Sequence, residues 1–176
     1  PHEFKATPDE NIMGLSAYWA IPDSMNLKRL LNRMGVRWVR NGITSSFKNT
    51  EATFHNNINW KKNWKDPERE ELIRSFFRKI VKNGNKIWEF GNELNMSSPD
   101  IAGAGEGIGK ARLAEAYIEW LKAIRKVQKE QIEWRNIQII SFGIAGADEV
   151  FLEKIVELGG WDLLDGIALH PGRGNF

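Results

Sequence analysis

The chain contains no cysteine, which excludes disulfides and thiolate metal sites without fixing a compartment. It has almost no charge imbalance: 25 basic against 23 acidic residues, a net charge of +2. That gives no electrostatic case for nucleic acid or an anionic membrane surface. No apolar run approaches the roughly 18–20 residues that a bilayer-spanning helix needs. Residues 1–11 are polar, with His2, Glu3, Lys5, Asp9 and Glu10, so no signal peptide is visible there. There is no internal repeat, heptad run or low-complexity tract. No His-x-x-x-His or His/Asp cluster suggests a metal site, since His2 and His55 both lie in polar segments.

What is present is an ordinary domain's worth of chain: 176 residues, 41% apolar, with eight tryptophans. It reads as a single domain over 1–176. Strand and helix alternate, as in an α/β protein with parallel strands. Strands are expected at Ile12–Trp19, Val36–Gly42, Lys86–Gly91, Ile137–Phe142 and Leu164–His170. Helices are expected at Asn26–Met34, from Asp66-Pro67 to Asn83-Gly84, at Lys110–Glu130, and after Asp148 as its cap. The apolar stripes Leu72, Ile73, Phe76, Phe77, Ile80 and Leu113, Tyr117, Trp120, Leu121, Ile124, Val127 have helical spacing. Residues 43–66 are polar and irregular and show no strand signal.

The most informative stretch is Trp88-Glu89-Phe90-Gly91-Asn92-Glu93-Leu94-Asn95-Met96. It starts as a strand and ends on an amide beside a carboxylate, both poor strand residues. At the C-terminal end of a parallel barrel strand such residues read as chemistry. A carboxyl held against apolar surface keeps its proton to higher pH than one in water, so it can act as a proton donor. Two further strands end on polar residues, in Trp38-Val39-Arg40 and Asp165-Gly166-Ile167-Ala168-Leu169-His170. An arginine or histidine at a strand end is otherwise a snorkelling or structural side chain. The shared topological position of Arg40, Asn92-Glu93 and His170 is what joins them.

These segments resemble the clan A glycoside hydrolases, retaining enzymes built on a (β/α)₈ TIM barrel. Their fourth strand reads Trp-Glu-x-x-Asn-Glu, and residues 88–93 read Trp-Glu-Phe-Gly-Asn-Glu. The resemblance implies Glu93 as catalytic general acid/base. It implies Asn92 as the hydrogen-bond partner of the sugar hydroxyl beside the reacting carbon. By the same resemblance Arg40 holds the nucleophilic carboxylate and His170 lines the sugar site. Pro171-Gly172-Arg173-Gly174 follows His170 where many members have a nearby Tyr, a departure that bears on subfamily and substrate. Trp19, at the end of the first expected strand, is a candidate wall of the substrate site. Trp60 and Trp64 could stack on a sugar or pack beneath their own loop. Glu89 reads as a buried structural carboxylate that needs a basic or hydrogen-bonding partner.

The resemblance implies an oligosaccharide or polysaccharide substrate, no cofactor and no metal. Localisation stays unknown, with a secreted or cell-surface place slightly favoured, and oligomeric state is open. The strands bearing Arg40, Glu93 and His170 are expected to be parallel and adjacent, with these side chains facing one cleft. A full barrel needs roughly 250 residues, so the barrel is expected to be incomplete here, with about five strands readable and inactive as it stands. A compact five-stranded sheet is the competing explanation. By the same resemblance the nucleophile is expected to be a Glu at the end of the seventh strand, beyond Phe176; Glu106, Glu115, Asp148, Glu149 and Asp165 are not assigned that role. Two other functions compete: a non-catalytic carbohydrate-binding barrel, and a nucleotide-binding α/β domain using Gly103–Lys110. That loop fails both phosphate-loop patterns, since Ala104, Ala111 and Ile108 occupy required positions.

Overall fold

A computed structural model describes residues 14–16, 38–40, 51–56, 67–96, 110–146 and 148–170. Five parallel strands run in sequence order: β1 (Gly14–Ser16), β2 (Trp38–Arg40), β3 (Glu51–Asn56), β4 (Ile87–Phe90) and β5 (Gln138–Ile140). Strands β6 (Ile144–Ala145) and β7 (Leu169–His170) form a second parallel pair. Single bridges between Asn92 and Gly143 and between Ile140 and Gly166 link the two sheets. The helices are α1 (Glu68–Lys82), α2 (Lys110–Gln128) and α3 (Glu149–Glu157). The expected helix at Asn26–Met34 lies outside the described residues.

The helices form where periodicity and end signals agree. Helix α1 has Glu68, Glu70 and Glu71 in its first turn and Lys79 and Lys82 in its last, which matches the helix dipole. It buries Ile73, Phe77 and Ile80. Helix α2 buries the whole expected stripe from Leu113 to Val127. Asp148 caps α3 by accepting the Phe151 N–H at 3.2 Å.

Strand β3 corrects the reading of residues 43–66. Glu51–Asn56 is mostly polar and carries little local strand signal. It is a strand because both neighbours supply its backbone partners: Trp38–Arg40 on one side and Ile87–Phe90 on the other. Its Phe54 is buried and packs against Trp88 and Phe76. The strands bearing Arg40, Glu93 and His170 are therefore parallel but not adjacent. One strand, β3, separates the first two, and the β5–β6 chain separates the last two.

Side chains alternate across the strands. On β4, Trp88 and Phe90 point into the helix layer: Trp88 meets Phe77 of α1 and Phe90 stacks on Tyr117 of α2. Phe142, which Tyr117 also meets, contacts Phe151 of α3. All three described helices thus cover one face. Glu89 points to the other. A doubly wound sheet places helices on both faces; the three described helices lie on one. The described strands form an open sheet.

The chain from Gln138 to Ala145 carries a bulge. Ile140 bridges Gly166, while Ile144 pairs with Leu169, so this chain uses one more residue than its partner between the two pairings. The hydroxyl of Ser141 satisfies the displaced backbone by accepting the Ala168 N–H at 2.9 Å. Tyr117 repairs the interruption on the other side. Its hydroxyl accepts from Phe142 N at 3.2 Å and donates to Phe90 O at 3.3 Å.

Candidate active site

The polar residues at the strand ends meet on the face away from the helices. Arg40 leaves the end of β2 and donates from Nε and NH2 to the two carboxylate oxygens of Glu89, at 2.6 and 2.5 Å. The same NH2 donates to Asn92 Oδ1 at 2.8 Å. Glu89 is only 2% exposed and accepts a third hydrogen bond from Gly143 N at 3.1 Å. A carboxylate buried this far requires such donors. The two strands that carry the pair are two strand spacings apart, about 9–10 Å in a flat sheet. Contact across β3 needs a side chain as long as that of Arg.

Glu93 follows one residue after Asn92. Its backbone is left-handed, with φ 46°, and among the described residues it is the non-glycine with positive φ. Such a conformation is costly for an L-residue and clusters at functional sites. Two features maintain it. The Glu93 N–H donates to Gly143 O at 2.9 Å. Gly91, with φ +97°, makes the turn into the motif, and a Cβ there would meet Leu94 Cδ1 at 2.9 Å. The Glu93 carboxyl Oε1 lies 2.7 Å from His170 Nδ1. Both side chains are largely but not fully buried, at 15% and 24%, so the pair sits at an accessible edge.

The structure thus brings together Arg40, Asn92, Glu93 and His170 from the expected set. Trp19 lies outside the described residues, as do Trp60, Trp64 and nearly all of the glycine-rich loop. For Arg40, the observed acceptors are Glu89 and Asn92.

Two participants were not singled out from sequence. Asn95 donates from Nδ2 to Ala145 O at 2.9 Å and to Asp148 Oδ2 at 3.1 Å, and accepts from Ala145 N at 3.0 Å. It ties the motif's 3₁₀ turn (Leu94–Met96) to β6 and to the cap of α3. Gly143 contacts Glu89, Glu93 and His170 at once. An Asn two residues after a strand-end Glu was the available signal for the first; nothing local marks the second. A separate groove, lined by Trp161, Leu164, Asp165, Gly166 and Ile167, lies near the N-terminal end of β7, the opposite end from this cluster. Among the described residues no group of His, Asp and Glu converges as a metal site would require, and no helix is long and apolar enough to cross a membrane.

Comparison with known proteins bears on the fold. No family model and no curated protein matches the chain. Among solved structures, a GH53 catalytic domain from Ignisphaera aggregans is similar, with a TM-score of 0.52 and 16% identity. The similarity covers 81% of this chain and 51% of that one, so the chain spans about half the length of the structure it matches. The chain therefore has a parallel α/β fold like that of a glycoside hydrolase catalytic domain.

Proposed function

We propose that this protein is a retaining glycoside hydrolase, on a (β/α)₈ barrel, in which Glu93 is the general acid/base. The observation that supports this most is the position of Glu93: at a strand's C-terminal end, in a strained backbone conformation, with its carboxyl oxygen against the His170 imidazole. The GH53 neighbour supports the fold part of the reading. The substrate class is an oligosaccharide or polysaccharide.

In this reading Glu93 transfers its proton to the glycosidic oxygen as the bond to the anomeric carbon breaks. A second carboxylate attacks that carbon and forms a covalent glycosyl-enzyme. Glu93, now ionised, takes a proton from water, whose oxygen displaces the enzyme carboxylate. The two carboxyls of such a pair lie about 5–5.5 Å apart. Glu89 is not that nucleophile, because Arg40 and Gly143 occupy its oxygens in the interior. Asn92 gives its Oδ1 to Arg40, which leaves the amide NH2 to donate to a sugar hydroxyl oxygen. His170 fixes the direction of the Glu93 carboxyl.

The test is Glu93→Gln, assayed on two kinds of substrate. Turnover of unactivated oligosaccharides should fall about 10²–10⁴-fold. Aryl glycosides with acidic phenols should lose much less, because a good leaving group needs no proton. Azide should partly restore turnover with these by replacing the activated water. Equal losses on both kinds would make Glu93 structural. Saturable sugar binding without hydrolysis would favour a carbohydrate-binding protein instead.

A further inference from the structure

We propose that Gly143 is a positioning residue for Glu93, acting through His170: the space left by its missing side chain is filled by the imidazole that meets the Glu93 carboxyl. This rests on the acid/base reading of Glu93.

A Cβ built on Gly143 would lie 2.1 Å from His170 Nε2, 2.3 Å from Cε1 and 2.7 Å from Cδ2. The ring therefore lies directly against the backbone of the β5–β6 chain, in space that any other residue would occupy. From there its Nδ1 reaches Glu93 Oε1 at 2.7 Å. The ring cannot yield to a side chain at 143 and keep that contact.

The glycine is not there for its backbone conformation. The described glycines with positive φ are Gly84, Gly91, Gly146 and Gly159, so the φ of residue 143 is open to alanine. Nor do its hydrogen bonds need glycine: the N–H donated to Glu89 and the carbonyl that accepts from Glu93 are present in every residue but proline. What only glycine supplies at this place is room for the ring. The bulge between Ile140 and Ile144 sets this residue opposite both the motif and the end of β7, so one position faces both members of the pair.

The test is a double-mutant cycle on the folded protein with Gly143→Ala, His170→Ala and the combination. On unactivated oligosaccharides Gly143→Ala should lower kcat/KM by about 10²-fold, the usual scale for a misplacement of about 1 Å. His170→Ala should cost a similar factor. The double variant should lose no more than His170→Ala alone, because without the ring the glycine has nothing to accommodate. Multiplying losses would overturn the proposal. Should Gly143→Ala fail to fold, the double variant should fold, since the space is then vacant; failure of both would also overturn it.

A second arm needs no turnover. With labelled histidine, Glu93→Gln should move the ¹⁵N resonance of His170 Nδ1 in the protein with Gly143 and leave it unmoved in the Gly143→Ala background. A shift of the same size in both would overturn the proposal. If Glu93→Gln leaves hydrolysis unaffected but the resonance behaves as stated, the acid/base reading fails while the geometric role of Gly143 stands.

Discussion

Arg40 grips both oxygens of Glu89 across an intervening strand, at 2.6 and 2.5 Å, with Glu89 almost wholly removed from solvent. Removing one partner strands a buried charge. Arg40→Met should lower unfolding free energy by about 3–5 kcal/mol. Arg40→Lys should recover only part, since an ammonium cannot make the forked contact. The Arg40→Met/Glu89→Met pair should be far less destabilised than Arg40→Met alone. Urea unfolding of the three variants checks this, and a double variant as unstable as Arg40→Met would show that the pair is not what the site depends on.

Tyr117 stands between two strands, and its hydroxyl joins Phe90 O to Phe142 N. Tyr117→Phe removes both hydrogen bonds in a buried setting, costing about 1–3 kcal/mol. The same burial pushes the Tyr117 phenol well above the ordinary tyrosine range. The native state therefore keeps this proton where the unfolded chain loses it. Stability should decline as pH rises past about 10, the unfolded value, and Tyr117→Phe should flatten that decline. Urea midpoints measured between pH 8 and 11 read both effects.

The left-handed backbone at Glu93 separates stability from function. Glu93→Gly and Glu93→Ala both remove the carboxyl and should both be inactive. Glycine tolerates positive φ and alanine does not, so Glu93→Gly should be the more stable by about 1 kcal/mol. Equal melting temperatures would show that the strain is relieved elsewhere.

Asn95 both donates and accepts, with the Asp148 carboxylate on its donor side. Asn95→Asp keeps the shape but turns the donor into an acceptor facing Ala145 O and Asp148. It should destabilise the fold strongly at neutral pH. The difference from the native protein should shrink as pH falls and the new carboxyl protonates. A pH-independent difference would place the loss in packing instead.

What the sequence settled was local. The stripes of α1 and α2 and the Asp148 cap depend on residues within a few positions of one another, so they were legible directly. The polar strand ends were legible too, because Asn92, Glu93, Arg40 and His170 contradict the strands that carry them. Burial of Glu89 was read from its place within the motif strand, though not the identity of its partner 49 residues away.

Tertiary structure decided whatever depends on distant neighbours. Glu51–Asn56 is a strand because β2 and β4 flank it, and its own mostly polar sequence carries little such signal. The interleaving of one strand between each pair of site-bearing strands follows from β3 and the β5–β6 chain. The bulge after Ile140, the left-handed turn at Glu93 and the imidazole in the space beside Gly143 are likewise properties of apposed backbones. A glycine required by a ring 27 residues further along the chain looks, in one dimension, like any other glycine. Its reason exists only once two strands lie side by side.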